Sequence, residues 1–177
     1  MPKPATSKFW LDIATQEIVK QYPKGEIVVS SGISPSATYH IGHFREILTA
    51  DALTWGLRQA GRRARHIHVV DNFDPLRKRY DFLPKWLEKH VGQPICLIPD
   101  PVGKCHRTYG DHFYKEFEVY ARKMGIYPDQ VIKSYEDLYK TGKMAGCFEA
   151  VLANVDKIHA IFKRVANREL ETGWTPV

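Results

Sequence analysis

The chain has 177 residues, 44% hydrophobic and 26% charged, with 26 Lys and Arg against 20 Asp and Glu for a formal charge of +6. That length suits one domain, or one domain with a piece of another, and the balance excludes an extended disordered chain. Three cysteines exclude a secreted disulfide scaffold, no apolar run reaches the ~20 residues of a membrane helix, and without a signal peptide the default location is the cytoplasm.

After a short Pro/Lys/Ser lead, residues 8–21 place Trp10, Ala14 and Ile18 one helical turn apart and predict a helix. The apolar run 26–30, around Ile27, Val28 and Val29, reads as a buried strand. A loop rich in Ser, Gly and Pro follows from Ser30 to Ser36, and Ile41, Phe44, Leu48, Ala52 and Trp55 then recur at helical spacing up to Gly61. Ile67, Val69 and Val70 mark a second strand at 65–70, followed by an acidic, Pro-containing loop from Asp71 to Leu76.

Residues 84–91 read as a short amphipathic helix and Ile95 to Ile98 as a third strand running into Pro99. Tyr109, Phe113, Phe117, Tyr120 and Met124 form a helical stripe that stops at Gly125, and Val131 with Ile132 marks a fourth strand. One long final helix carries Phe148, Val151, Leu152, Val155, Ile158, Phe162 and Val165, and Trp174-Thr175-Pro176 opens a further segment. Strands alternating with helices predict an α/β fold, a Rossmann-like parallel sheet with helices on both faces. The ligand crevice of such a sheet lies outside the carboxyl ends of its strands, so the loops 31–43 and 71–78 should face each other there.

The first of these loops holds His40-Ile41-Gly42-His43 where a helix begins. Unpaired N–H groups at a helix start favour anions, Gly42 lets a ligand lie close to the backbone, and His40 and His43 share a face if the first turn is helical. The same residues also read as a glycine turn with two surface histidines. In the second loop, Asp71 and Asp74 are suited to an ammonium group, with Arg77, Lys78 and Arg79 available for phosphate; Asp-Pro and Asn are equally ordinary turn residues. Asp100, Cys105, His106 and His112 offer four candidate ligands for a tetrahedral cation, or one buried cysteine and two surface histidines. Arg58, Arg62, Arg63 and Arg65 cluster at a helix end, as a phosphate-binding patch or as solvated charges favoured by the helix dipole.

His40-Ile41-Gly42-His43 resembles the HIGH signature of class I aminoacyl-tRNA synthetases and related nucleotidylyltransferases. The wider runs SGISPSATYHIGHFREILTADAL at 31–53, HIHVVDNFDPLRK at 66–78 and PDPVGKCHRTYGDHF at 99–113 resemble class I lysyl-tRNA synthetase, in the right order and over most of the chain. Ala37 stands where that family usually has glycine, His43 where its members often have asparagine, and Lys104 is an extra residue before Cys105.

The resemblance implies ATP-dependent activation of lysine, with Mg²⁺ accompanying ATP, and transfer to tRNA(Lys). By the match, His40 and His43 are the catalytic pair and bind the ATP phosphates together with Ser36 and Gly42. Gly32, Ser34, Asp71 and Asp74 fall at amino-acid-binding positions, and Asp100, Cys105, His106 and His112 at the ligands of a structural Zn²⁺. It divides the chain into 1–98, the first half of a Rossmann-like catalytic domain, and 99–177, a connecting zinc-containing segment and following helices. No KMSKS-type signature matches 114–177, where Lys140, Lys143 and Lys157 stand in other contexts. Two readings follow: an amino-terminal catalytic portion whose chemistry belongs with a carboxy-terminal half, or a truncated non-catalytic relative that binds nucleotide, amino acid, tRNA or a protein. A nucleotidylyltransferase acting on a small molecule is a third.

Overall fold

The computed structural model describes residues 9–171 and 173–175. The lead at 1–7, Lys8 and Pro176 lie outside the described residues. Two compact units divide the chain, residues 1–135 and 136–177, so the boundary expected at 98/99 falls inside the first. No helix among the described residues is long and apolar enough to cross a membrane.

In the first unit, α1 (Trp10–Gln21) precedes β1 (Ile27–Ile33), α2 (Ile41–Gln59) and β2 (Ala64–Val70), and α3 (Tyr109–Lys123) leads into β3 (Gln130–Lys133). The strands are parallel in the order β1-β2-β3, with Ile33 opposite Val70 and Val70 opposite Lys133. β1 runs three residues past its predicted end, which takes Ser31, Gly32 and Ile33 out of the loop and into the ladder.

Within this unit α2 and α3 lie on one face of the sheet, because the strand order never reverses and right-handed crossovers keep to one side. Ile33 and Val70 meet Ile47 of α2 and Tyr114, Phe117 and Ala121 of α3 there, while Val28, on the other face of β1, stays half exposed. A parallel three-stranded sheet flanked by helices is the Rossmann-like α/β architecture that the sequence predicts.

The strand expected at 95–98 is a run of turns. Pro94, Pro99 and Pro101 remove ladder donors, Leu97 N–H turns back onto the Pro94 carbonyl, and Ile95 and Cys96 donate to the carbonyls of Asp74 and Asn72. Their side chains are still core: Ile95 and Ile98 join Leu76, Leu83, Leu87, Tyr109 and Phe113 in a second cluster that pins the 71–98 segment to α3. The predicted helix at 84–91 is a 3-10 segment, Lys85–His90.

In the second unit the single long helix is two, α4 (Ala145–Leu152) and α5 (Val155–Ala166). Asn154 breaks it by donating its amide to the Ala150 carbonyl at 2.7 Å, a local bond that competes with the helix ladder. Tyr139 stacks on Phe148, and Trp174 folds back onto His159 and Phe162 of α5.

The covered sheet face also holds polar groups. Ser31 Oγ lies 2.8 Å from His66 Nε2 and 2.8 Å from His68 Nδ1, with all three residues buried. Burial lowers both imidazole pKa values; for His68, burial and then the neighbouring His66 bring it down to about 4. An unfolded imidazole takes its proton near pH 6.5, whereas folded His68 resists until about pH 4. Its stabilising contribution is therefore complete above pH 6.5 and is lost as pH falls toward 4, to the extent of roughly 3 kcal/mol. Thermal melts should show the melting temperature falling steadily through this window, and His68→Leu should flatten the dependence.

Candidate functional site

His40 is the N-cap residue of α2. Its Nδ1 accepts the Gly42 N–H at 3.1 Å, and His43 Nδ1 accepts the His40 N–H at 3.2 Å. Two donors left over by the helix start are thus met by imidazoles, in the reciprocal pattern usually made by Ser and Glu. A ring nitrogen that accepts carries no proton, so each neutral ring keeps its proton on Nε2. Burial, and then the adjacent His40, lower the His43 pKa and favour that neutral form. The ring centroids are 4.1 Å apart, which leaves two Nε2–H donors at the positive end of a 19-residue helix.

Gly42 is required by this packing. A Cβ there would come within 2.8 Å of His40 Cε1 and 2.9 Å of its Nδ1.

Beside the helix start lies a cavity of about 260 Å³ lined by Ser34, Ser36, His43, Asp74, Arg77 and Tyr80, among others. Ser34 Oγ donates to Asp74 Oδ2 at 3.0 Å, and Arg77 pairs with the same oxygen at 3.5 Å. The two loops expected to face each other therefore do so, with His40 and Asp71 at the same end of the sheet. Asp71 donates its N–H to the Ile33 carbonyl at 2.7 Å, but its carboxylate turns toward β3 and accepts the Ser134 hydroxyl at 2.9 Å, away from the cavity that Asp74 lines. Gly32 is a strand residue whose N–H donates to Glu46 Oε1 at 2.7 Å.

Two supporting residues escape a reading of the sequence. Glu46 ties the end of β1 to α2; its signal is an acid three residues after His43, on the same helix face. Tyr109, fully buried, donates its hydroxyl to the Ser36 carbonyl at 2.5 Å and so fixes the loop from α3. The sequence shows Tyr109 only as part of an apolar stripe.

The start of α3 carries the candidate cation site. One donor atom from each of Asp100, Cys105, His106 and His112 lies within 4.8 Å of all the others. Cys105 Sγ is 3.1 Å from Asp100 Oδ2 and 3.2 Å from both His106 Nδ1 and His112 Nδ1, and Asp100 lies 3.7 and 3.4 Å from those two rings. Bonds of about 2.0–2.3 Å in a tetrahedron put ligand atoms roughly 3.3–3.8 Å apart, so these four residues fit one four-coordinate ion. The extra residue Lys104 is absorbed at φ 68, in the left-handed region, and leaves Asp100 within the cluster. Burial opposes the Asp100 charge, but the N–H groups of Val102 and His106 and the Cys105 thiol outweigh it and hold its pKa down at about 2.

The arginine cluster is largely consumed by the fold. Arg58 forks onto Asp129 at 2.7 and 2.8 Å, Arg62 donates to the Tyr22 and Gly25 carbonyls, and Arg65 meets Gln130 and Glu26.

A family model described as tRNA synthetases class I (K) matches residues 8–177. The chain belongs to this class I synthetase family. It is 40% identical to lysine–tRNA ligases of Methanosarcina barkeri strain Fusaro and Archaeoglobus fulgidus, each over 94% of its length, and 39% identical to that of Thermococcus kodakarensis over 95%. It covers 30%, 33% and 32% of those relatives, so this synthetase chain spans about a third of the length of the curated proteins it matches.

Gly42→Ala should force the His40 ring off its cap. The expected result is a lower melting temperature, by about 1 kcal/mol of stability, with loss of the Nε2–H tautomer at His40 in nitrogen-15 spectra.

Proposed function

We propose that this chain is the nucleotide-binding portion of a lysine–tRNA ligase, acting in the cytoplasm on lysine, ATP with Mg²⁺, and tRNA(Lys). The observation that carries the reading is the pair of Nε2–H donors at the start of α2 beside a cavity that Asp74 also lines. A lysine carboxylate oxygen attacks the α-phosphorus of ATP, the bond to the β-phosphate oxygen breaks, and pyrophosphate leaves as lysyl-adenylate forms. No protein nucleophile is needed, so the protein contributes position and charge stabilisation. His40 and His43 donate to phosphate oxygens, with Gly42 and Ser36 against the nucleotide. Asp74, with Ser34 and Gly32 nearby, receives an ammonium group of the amino acid in competition with Arg77, and Asp71 supports the same edge from β2.

Asp100, Cys105, His106 and His112 would hold Zn²⁺ in a structural role, since four protein ligands leave no open position. The ion would fix the start of α3, and through Tyr109 the Ser36 loop. The remaining two thirds of a full-length ligase, including its carboxy-terminal half, would supply the other contacts to pyrophosphate and tRNA.

Lysine-dependent exchange of pyrophosphate into ATP tests this reading. Exchange that falls ~100-fold or more in His40→Ala supports it, and Asp74→Asn should raise KM for lysine about tenfold, a loss of ~1.4 kcal/mol. Saturable ATP binding without exchange would favour a non-catalytic binding module, and exchange dependent on another small acid would favour a different nucleotidylyltransferase. Elemental analysis should find one zinc per chain, lost in Cys105→Ala and His112→Ala; zinc-free protein with unchanged stability would overturn the metal assignment.

A further inference from the structure

Residues 79–90 show aromatic rings to solvent on a backbone held by buried anchors. Leu83 and Leu87 belong to the second core cluster. The Arg79 guanidinium donates to the Tyr80 and Leu83 carbonyls at 3.0 Å each and to Glu88 Oε1 at 2.9 Å. Between these anchors Phe82 and Trp86 stay 58% and 39% exposed. Tyr80 stacks on Phe82 with centroids 5.6 Å apart, Lys78 lies 5.3 Å from the Tyr80 ring centre, and Trp86 meets His90 edge to face at 5.5 Å.

Trp86 lines an open cavity of about 490 Å³ with Pro84, Pro99, Val102, Lys104 and Arg107, among others. Asp100, the one acidic lining residue, is committed to the N–H groups of Val102 and His106. Residues 77–107 carry seven Lys and Arg against three Asp and Glu, a surplus of four in a chain whose total is +6. Arg79 pairs with two of those acids, Asp81 and Glu88, and Lys85, Lys89 and Lys104 meet no carboxylate among the described residues. Whereas the fold consumes Arg58, Arg62 and Arg65, it leaves these lysines to a partner. The rings also join two sites: Tyr80 lines the cavity beside α2, and Pro84 and Trp86 line this one.

Exposed rings interleaved with uncommitted cations suit a single-stranded nucleic acid, whose unpaired bases stack on aromatic side chains while its phosphates meet Lys and Arg. A duplex keeps its bases stacked on one another and has none to offer Trp86. We propose that Phe82, Trp86 and Lys104 form a binding surface for a single-stranded RNA end, with a base stacked on Trp86 and phosphates held by the lysines around it. That the strand continues past Phe82 and Tyr80 and brings its 3′ end to the cavity beside α2 rests on the ligase reading above; the stacking surface itself does not.

Fluorescence anisotropy of a dye-labelled single-stranded RNA of about eight nucleotides, titrated with the full chain, reads this binding. The expected result is saturable binding that Trp86→Ala weakens about tenfold. Lys104→Gln should make the slope of log affinity against log salt shallower by about 0.7. If Trp86→Ala does not fold, Trp86→Leu removes the ring but keeps apolar bulk, and is read in the same way. No binding, unchanged affinity in the Trp86 variant, or equal binding of the same strand within a duplex would overturn the proposal. Binding that depends on Trp86 in a chain without lysine-dependent exchange would remove the ligase reading and leave this surface standing; exchange in a chain whose RNA binding ignores Trp86 would remove the surface alone.

Discussion

The register of β1 against β2 is the constraint on which the site depends. Ile33 opposite Val70 ends the two strands level, and the Asp71 N–H on the Ile33 carbonyl closes the last rung. Because both strands stop together, the loops leaving them start side by side, and Ser34 reaches Asp74 directly. A slip of one residue in β1 would turn Ser31 and Ile33 out of the covered face, and a slip in β2 would turn out His66, His68 and Val70. The buried Ser31–His66–His68 group therefore works against misregistration: a slip would strand polar nitrogens opposite apolar neighbours.

Helix α3 carries the second constraint. Its Phe117 stacks on Phe44 of α2 and packs against Tyr39, just ahead of His40. Its Tyr109 holds the Ser36 carbonyl, and its His112 belongs to the four-residue cluster. One rigid element thus braces the small-residue loop from behind and begins at the four-residue cluster, where a cation would tie down its first turn. A loop rich in Ser and Pro has little packing of its own, so its geometry is borrowed from this helix.

Much of the chain's positive charge is spent within its own fold. Arg58, Arg62 and Arg65 join strand ends, turns and helix termini within the first unit. The anion-favouring feature beside the cavity is instead the start of α2, where the two imidazoles of His40 and His43 cap the helix.

Periodicity and turn residues alone determined most helices, the parallel class of the sheet, and the placing of His40, His43 and Asp74 at strand-to-helix junctions, because spacing and backbone preference are local properties. The four candidate metal ligands were legible for the same reason: they lie within one short segment. Tertiary structure alone decided that Ile95 and Ile98 are core turns and not a strand, since prolines and side-chain burial there outweigh an apolar run. It also decided that α2 and α3 share a face, that Asp71 turns to Ser134 while Asp74 lines the cavity, and that Ser31 joins two histidines 35 and 37 residues away. Those outcomes rest on hydrogen bonds and packing between distant segments, whose partners no local pattern can name.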